Sequence, residues 1–372
     1  MSRFVAGLLI GLAIFGCIAL HGFSIRNGMG EMIQVARAHN LLANGTRNPY
    51  MGKITGIGGV DSMLFTLISF FWPVSQGETP GLSLVGLLLG GQLVALLTVT
   101  MIEGFREGNK GRIVAFISIY AFLYQIAGFA ILAPLYLSLY VLTSPTFSTP
   151  TAANLIVSNV DAIPFGILFG YLPFSALIAL PYPAMLSLKQ KIWAIILWQP
   201  TPHYATYISK ILSSLSPHKS KTSSIPRQLM HLRAAYKFAL LFAVPAHLYV
   251  WALSLTAMFW PSLFSSQAQG NLHPLNALIP RNPVHAWNAK ASNIAEGSLW
   301  LLQWDYWIGS LSYLIFAIVA KSYATKKMAA KEVVAAMARM MAIGPLAAAL
   351  TLLWDRDELV FGRGGDTQKK EK

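Results

Sequence analysis

Apolar residues in this chain fall in long blocks separated by short polar intervals. About 20 apolar residues carry a helix across a hydrocarbon layer. On that measure eight blocks are predicted to span as helices: Phe4–His21, Val60–Val74, Leu82–Ile102, Ile113–Leu142, Ala162–Leu186, Phe238–Trp260, Leu299–Ala320 and Val333–Trp354. The second is short and ends at Pro73. The fourth is long and carries Pro134, which predicts a tilt or a kink. The eighth is diluted by Arg339 near its start. No internal repeat is evident. The expected fold class is therefore all-α, a polytopic bundle forming a single integral-membrane domain over residues 1–372. Within it, residues 189–237 read as a cytosolic interfacial segment and linker, and 355–372 as a polar tail. The interfacial reading rests on IWAIILWQPTPHYATYISKIL (Ile192–Leu212), where aromatic residues mix with lysine and Trp193 and Trp198 suit headgroup depth.

Composition removes the soluble alternative. The chain is 55% hydrophobic and 11% charged, with a mean hydropathy of +0.53, whereas soluble domains carry about 25% charged residues. The formal charge of +14, from 28 basic and 14 acidic residues, raises nucleic acid as a partner. The bases lie mostly between apolar blocks, however, and no RNA-binding motif accompanies them, so they read as determinants of orientation and contacts for membrane lipid. Loops Gly22–Gly59, Arg106–Arg112, Lys189–Lys237 and Lys321–Arg339 are rich in bases, and Ser75–Gly81, Thr143–Asp161 and Pro261–Ser298 are poor in them. The positive-inside rule then makes the first group cytosolic and places both termini in the lumen of the endoplasmic reticulum or a related endomembrane. Arg3 pulls mildly the other way. On this topology the sequon Asn44-Gly45-Thr46 is cytosolic and unused. Arg3 followed by FVAGLLIGLAIFGCIAL reads as a retained signal anchor. Cys17, the only cysteine, leaves no intrachain disulfide and no cysteine-based metal cluster.

The carboxylates carry the candidate chemistry. Glu78, Asp161, Asp305 and the run Asp355, Asp357, Glu358 are predicted at lumenal helix ends, together with Trp72, Trp260, Trp300, Trp304, Trp307 and Trp354. Taken singly, such a tryptophan is an interfacial anchor and such an acid meets water. Asp161 also suits a helix N-cap. Asp305, in LLQWDYWIGSLSY, stands apart because it lies one to two turns inside its span. An ionised Asp at a bilayer centre costs at least ~3 kcal/mol. Burial penalises the charged form of a carboxyl group, so an acid in apolar surroundings serves as a neutral proton donor. Aromatic faces attract cations by roughly 0.5–2 kcal/mol. A proton donor beside rings that steady a carbocation is what terpene cyclisation needs. Asp305 or Asp161 is the expected acid and Glu78 its partner or alternate. Trp72, Trp304, Tyr306 and Trp307, with Phe71 and Tyr171, are the expected substrate-lining residues. Glu103, three residues before Arg106, reads as an ion pair closing a helix and as a weaker catalytic candidate.

Other chemistries lack their residues. There is no Asp-Asp-x-x-Asp platform, Walker loop, G-x-S-x-G elbow or H-E-x-x-H pair, and the acids around Asp357 form a single short run. No metal or other cofactor is expected. The histidines are dispersed: His203, His218 and His231 in cytosolic loops, His273 and His285 in lumenal ones, and His247 in the sixth span, where a packed, hydrogen-bonded role is expected.

FFWPVSQGETPGLSL (Phe70–Leu84), MIEGFREGNKGR (Met101–Arg112), DAIPFGILFGYLPFSALIALPYP (Asp161–Pro183), IILWQPTP (Ile195–Pro202) and QWDYWIG (Gln303–Gly309) together resemble the fungal integral-membrane terpene cyclases of meroterpenoid pathways, of the macrophorin and ascofuranone types. Their order covers most of the chain. The resemblance implies cyclisation of an assembled, lipophilic prenylated substrate in secondary metabolism, started by protonating a terminal alkene or epoxide without a metal. Other enzymes of the same pathway are conceivable partners. The shorter paxilline-type membrane cyclases differ from this chain. A carrier for a lipophilic metabolite would also want a few buried acids, though carriers commonly show repeat symmetry. A scaffold for pathway enzymes would want a docking motif, and none is recognised.

Overall fold

The structure is a computed structural model describing the chain except residues 52, 159, 216–223, 282–287, 327–329 and 371–372, and except the side chains of 364–370. Within the described residues the regular structure is helical, with only two isolated bridges, Leu41–Arg47 and Arg106–Val157. Five stretches are long and apolar enough to cross a membrane: Ser2–Arg26, Pro80–Gly104, Val160–Ala179, Ile225–Phe259 and Ile294–Thr325. Large apolar side chains on their outer faces are exposed, Phe4 by 77% and Leu241 by 67%. That surface belongs to a membrane protein.

The first stretch is helix α1 (Ser2–Cys17), continued through a π-helical turn, Ile18–Gly22, into Phe23–Arg26. Helix α2 (Met29–Ala38) and helix α3 (Gly58–Gln76) follow. Asp61 organises the link between them: its carboxylate accepts the N–H groups of Ile54, Thr55 and Gly56 at 2.7–3.1 Å. Helix α4 (Pro80–Gly104) is the central column. Its two ends define the two ends of the bundle, one near Gln76 and the other at Glu103.

Two of the expected spans turn back at mid-depth. Helix α5 (Ile117–Ala127) stops at Gly128, whose φ of +98° favours glycine, and helix α6 (Phe129–Thr143) returns. Arg112 Nη1 donates to the Thr143 carbonyl at 3.0 Å and Tyr136 to that of Val114 at 3.2 Å, so both arms end near Glu103. The predicted span Ile113–Leu142 is therefore a hairpin whose break is Gly128. Pro134 lies inside α6 and does not interrupt it.

Four further helices build the next wall. Helix α7 (Ile163–Gly170) and helix α8 (Leu172–Ala179) run from the Glu103 end toward Gln76. Helix α9 (Leu188–Trp198) and helix α10 (Thr201–Leu215) come back alongside them. Lys191 Nζ donates to the carbonyls of Ile178 and Leu180 at 2.7 and 2.8 Å, Trp198 Nε1 to Ser175 Oγ at 3.0 Å, and Ser209 Oγ to the Ala162 carbonyl at 3.3 Å. Gly166 and Gly170 make this close approach possible, because a Cβ at either would collide with α10. The segment expected to lie at headgroup depth thus runs the length of the bundle.

Helix α11 (Ile225–Phe259) packs antiparallel to α4, and helix α12 (Ile294–Thr325) runs parallel to it. Helix α13 (Ala330–Ile343) enters from the Glu103 end, the chain turns at Gly344 (φ +90°), and helix α14 (Pro345–Lys370) carries it back. Arg339 and Asp355, on the two arms, pair at 2.8 Å. Val333–Trp354 is therefore a second hairpin and not a span. Its tip rests on Gln92 at the middle of α4: Gln92 Oε1 accepts the N–H groups of Leu346 and Ala347 at 3.1 Å, and its Nε2 donates to the carbonyls of Ala243 and Ile343 at 3.0 Å. Non-helical backbone at such depth survives only where protein satisfies its polar groups.

The block Val60–Val74 also departs from expectation. In α3, Phe65 packs on Met29, Ile33 and Ile294, while Gln76 bonds Tyr182, all at the Gln76 end. The helix lies across that end. Since neither α3 nor either hairpin crosses, the alternation of loops fails at each of these three points. Asp161, Trp354, Asp355, Asp357 and Glu358 stand at the Glu103 end, opposite Glu78, while Asp305 lies between the two ends at the tip of the α5–α6 hairpin.

Candidate active site

A cavity of about 340 Å³ lies between the α5–α6 tip, α3, α4, α12 and the α9–α10 junction, within the range of small-molecule sites, about 300–1,000 Å³. Its wall is mainly leucine and aromatic: Phe70 and Phe71 from α3, Tyr124 and Phe129 from the hairpin, Tyr171, and Trp198. Phe71 and Trp198 meet at 5.1 Å between ring centroids. Such a lining is greasy enough for a prenyl chain and presents π faces to a cation passing along it.

Among the described residues one carboxyl group reaches the cavity, that of Asp305 on α12. Its Oδ1 accepts the backbone N–H of Ala130 at 2.8 Å, and the Phe129 N–H also faces it. These are orphan donors of the first turn of α6, where the helix dipole favours negative charge. The chain reaches this point only because Gly128 turns it: a Cβ there would run into Leu20. Asp305 therefore both closes the hairpin tip and presents an acid to an apolar, aromatic space. His21 and Ser24, from the π-helical turn and its continuation, line the same region.

Of the residues singled out from the sequence, Asp305, Phe71 and Tyr171 share this cavity. Asp161 is exposed on the 3-10 turn Val160–Ala162 at the opposite end, and Glu78 is exposed in the turn before α4. The flanking rings of QWDYW point elsewhere. Trp304 packs edge-on against Phe15 at 5.2 Å, Tyr306 is buried against Trp307 at 5.5 Å, and Trp307 Nε1 donates to the Leu278 carbonyl at 2.7 Å. Trp72 is fully buried behind Phe71, against Tyr182 at 5.6 Å. Residues i and i+1 on a helix do not share a face, so one turn cannot aim four neighbours at one pocket.

Glu103 has a different setting. It sits 2% exposed in a buried cluster with Arg106, Arg356 and Asp357. Arg106 bonds Glu103 at 2.9 Å and Asp357 at 2.7 Å; Arg356 bonds the same two acids at 2.7 and 2.8 Å; Tyr140 and Tyr236 add hydroxyls at 2.6 and 2.7 Å. Two acids face two guanidiniums, with the Leu155 carbonyl taking a further Arg106 N–H. The cluster ties α4 to α14 and α11. The other acids of the C-terminal run are likewise paired, Asp355 with Lys321 and Arg339, Glu358 with Arg233. His247 bonds the Met341 carbonyl at 3.0 Å, while His218 and His285 lie outside the described residues.

Phe70, Tyr124, Phe129 and Trp198 also line the cavity, and nothing local in the sequence marks them for it. Trp198, expected at headgroup depth with Trp193, lines the cavity instead, whereas Trp193 is exposed. A signal for the hairpin was present in YQIAGFAILAP, where one glycine interrupts an apolar block too long for a single span.

A membrane-embedded helical bundle around an acid-bearing apolar cavity is the class that fold and site define. The CtvD domain family model matches residues 5–361, and the chain belongs to that family. Terpene cyclase ascI of Acremonium egyptiacum is 33% identical over 98% of this chain and 94% of its own length. Terpene cyclase ctvD of Aspergillus terreus is 28% identical over 95% and 99% of the two chains, and terpene cyclase penA of Penicillium crustosum 27% over 95% and 96%. No solved structure matches.

Proposed function

We propose that this protein is a membrane terpene cyclase that closes rings on the prenyl chain of a lipophilic meroterpenoid, with Asp305 as the proton donor. The observation that carries the reading is the placement of the Asp305 carboxyl on the wall of an aromatic, apolar cavity, against the N-terminus of α6. Relatives named terpene cyclase along nearly the full length support it.

The chemistry follows from the geometry. Asp305 gives its proton to the less substituted carbon of the terminal double bond, leaving the cation on the tertiary carbon, or to the oxygen of a terminal epoxide, whose C–O bond to the tertiary carbon then opens. The carboxylate left behind is met by the N–H of Ala130, a donor already in place that needs no reorganisation. The electron-poor carbon draws in the next double bond, forming a ring and moving the cation along the chain. Phe70, Phe71, Tyr124, Phe129, Tyr171 and Trp198 offer ring faces to that cation. Loss of a proton from carbon ends the sequence, so substrate and product are isomers.

The setting is a multi-pass protein of the endoplasmic reticulum or a related endomembrane. Arg106, Lys110, Arg112, Lys321 and Arg339 stand at the Glu103 end, with most of the other described bases. The positive-inside rule then turns that end to the cytosol. Residue 2 becomes cytosolic and Asn44 lumenal, each on the side opposite to the one read from eight alternating spans, while Arg106–Arg112 stays cytosolic and Ser75–Gly81 lumenal.

Microsomes containing only this protein, incubated with a linear prenylated phenol and its terminal epoxide, test the assignment. A new isomer of unchanged mass supports it. Movement of the compound across the membrane without conversion would make the protein a carrier.

A further inference from the structure

Thr100, Tyr313 and Tyr124 join in a chain of hydroxyls: Thr100 Oγ1 lies 2.9 Å from the Tyr313 hydroxyl, which lies 3.3 Å from that of Tyr124. Thr100 and Tyr124 line the cavity, and Tyr313, 1% exposed, ties them from behind. A hydroxyl brings one donor proton and two acceptor positions. The two contacts use two of the three protons, so one O–H has no partner among the described residues. Thr100 does not spend its proton on its own helix. Thr98, two residues earlier, does, donating to the Val94 carbonyl at 2.8 Å. Either atom of each contact can donate, so the uncommitted proton rests on Thr100, on Tyr124 or, when both of these donate to it, on Tyr313; two of the three hydroxyls border the apolar space.

Position adds the second half. Asp305 and Tyr313 lie on one helix, eight residues apart, which separates them by roughly 12 Å along its axis at about 1.5 Å per residue. The acid and the hydroxyl chain thus stand well apart along the cavity. An alkene or epoxide at Asp305 and an oxygen atom at the hydroxyls would be bridged by a chain of several isoprene units, not by one.

We infer that the Thr100–Tyr313–Tyr124 hydroxyl chain is a subsite for an oxygen atom, phenolic or carbonyl, on the ring head of the substrate, holding the head while the prenyl terminus meets Asp305. This deepens the cyclase reading and rests on it for the identity of the ligand. A few fixed polar groups in an apolar pocket are what orient a greasy ligand. An analogue lacking the partner oxygen leaves the hydroxyl chain unpaired and is disfavoured.

Equilibrium binding to the full-length protein in lipid nanodiscs tests the subsite independently of turnover. The probes are a farnesylated phenol and the same compound without ring oxygens. The unaltered protein should bind the phenol at least about tenfold more tightly, the scale of one buried hydrogen bond. Tyr313→Phe and, separately, Tyr124→Phe should erase most of that preference while leaving the affinity for the oxygen-free probe unchanged. Thermal unfolding of each variant checks that the bundle is intact. Equal affinities in the unaltered protein, or a parallel loss for both probes in intact variants, would overturn the subsite. If the preference holds but no isomer forms in microsomes, the subsite stands and the cyclase reading falls.

Discussion

Oδ1 of Asp305 lies 2.8 Å from the backbone nitrogen of Ala130, so the acid facing the cavity is also the acceptor that completes the tip of a mid-depth hairpin. The two roles separate by substitution. Asparagine keeps a carbonyl oxygen for the Ala130 N–H but carries no acidic proton. Leucine removes the acceptor and leaves a buried N–H unpaired, at a cost of ~1–3 kcal/mol. Asp305→Asn should therefore unfold at nearly the temperature of the unaltered protein, and Asp305→Leu measurably lower. Equal melting of the two variants would show that the tip does not depend on this bond.

Gln92 performs the corresponding task for the second hairpin, with two N–H acceptances and two carbonyl donations. Gln92→Leu strips all four at once, each buried group left unsatisfied costing ~1–3 kcal/mol. The expected result is severe loss of folded protein in detergent, read by size exclusion and thermal unfolding. A variant that folds normally would mean that the tip finds other partners.

The buried cluster around Glu103 predicts stability without chemistry. Removing one partner from a buried ion pair costs ~3–5 kcal/mol, because the remaining charge is stranded. Glu103→Gln should lower the melting temperature, yet the molecules that remain folded should turn over at the normal kcat. Lost turnover at unchanged stability would instead make Glu103 part of the reaction.

Orientation is testable at the sequon. Asn44 is exposed, and its Oδ1 accepts the Thr46 N–H at 3.0 Å in a turn at the end of the bundle away from Glu103. The proposed topology makes this turn lumenal, so Asn44 should carry a sugar chain that glycosidase removes and Asn44→Gln abolishes. Ile156→Thr creates a sequon at Asn154 near the Glu103 end, which should stay unmodified. Sugar on Asn154 and none on Asn44 would invert the bundle.

Membrane class, helical fold and the placement of an acid, Asp305, inside an apolar helix were legible in the sequence because they follow from local properties: apolar run length and an acid inside one such run. Topology was not. Ile113–Leu142 and Val333–Trp354 have the composition of spans, and their turning at Gly128 and Gly344 depends on Asp305 and Gln92, which lie far away in the chain. Loop-charge alternation counts crossings, so two non-crossing hairpins moved Asp161 and Asp357 to the wrong end. The same limit governs the rings. Adjacency to Asp305 in sequence made Trp304, Tyr306 and Trp307 attractive, whereas the cavity draws Tyr124, Phe129 and Trp198 from other helices. Phe71 and Tyr171 are shared by both descriptions.

The most direct measurement compares the unaltered protein with Asp305→Asn in the same nanodiscs, supplied with an epoxidised farnesyl phenol, following the cyclised isomer by chromatography and the fold by thermal unfolding. The account predicts an isomer of unchanged mass from the unaltered protein and none from the variant, with closely matched unfolding curves. Full turnover by folded Asp305→Asn would contradict it and move the proton donor elsewhere.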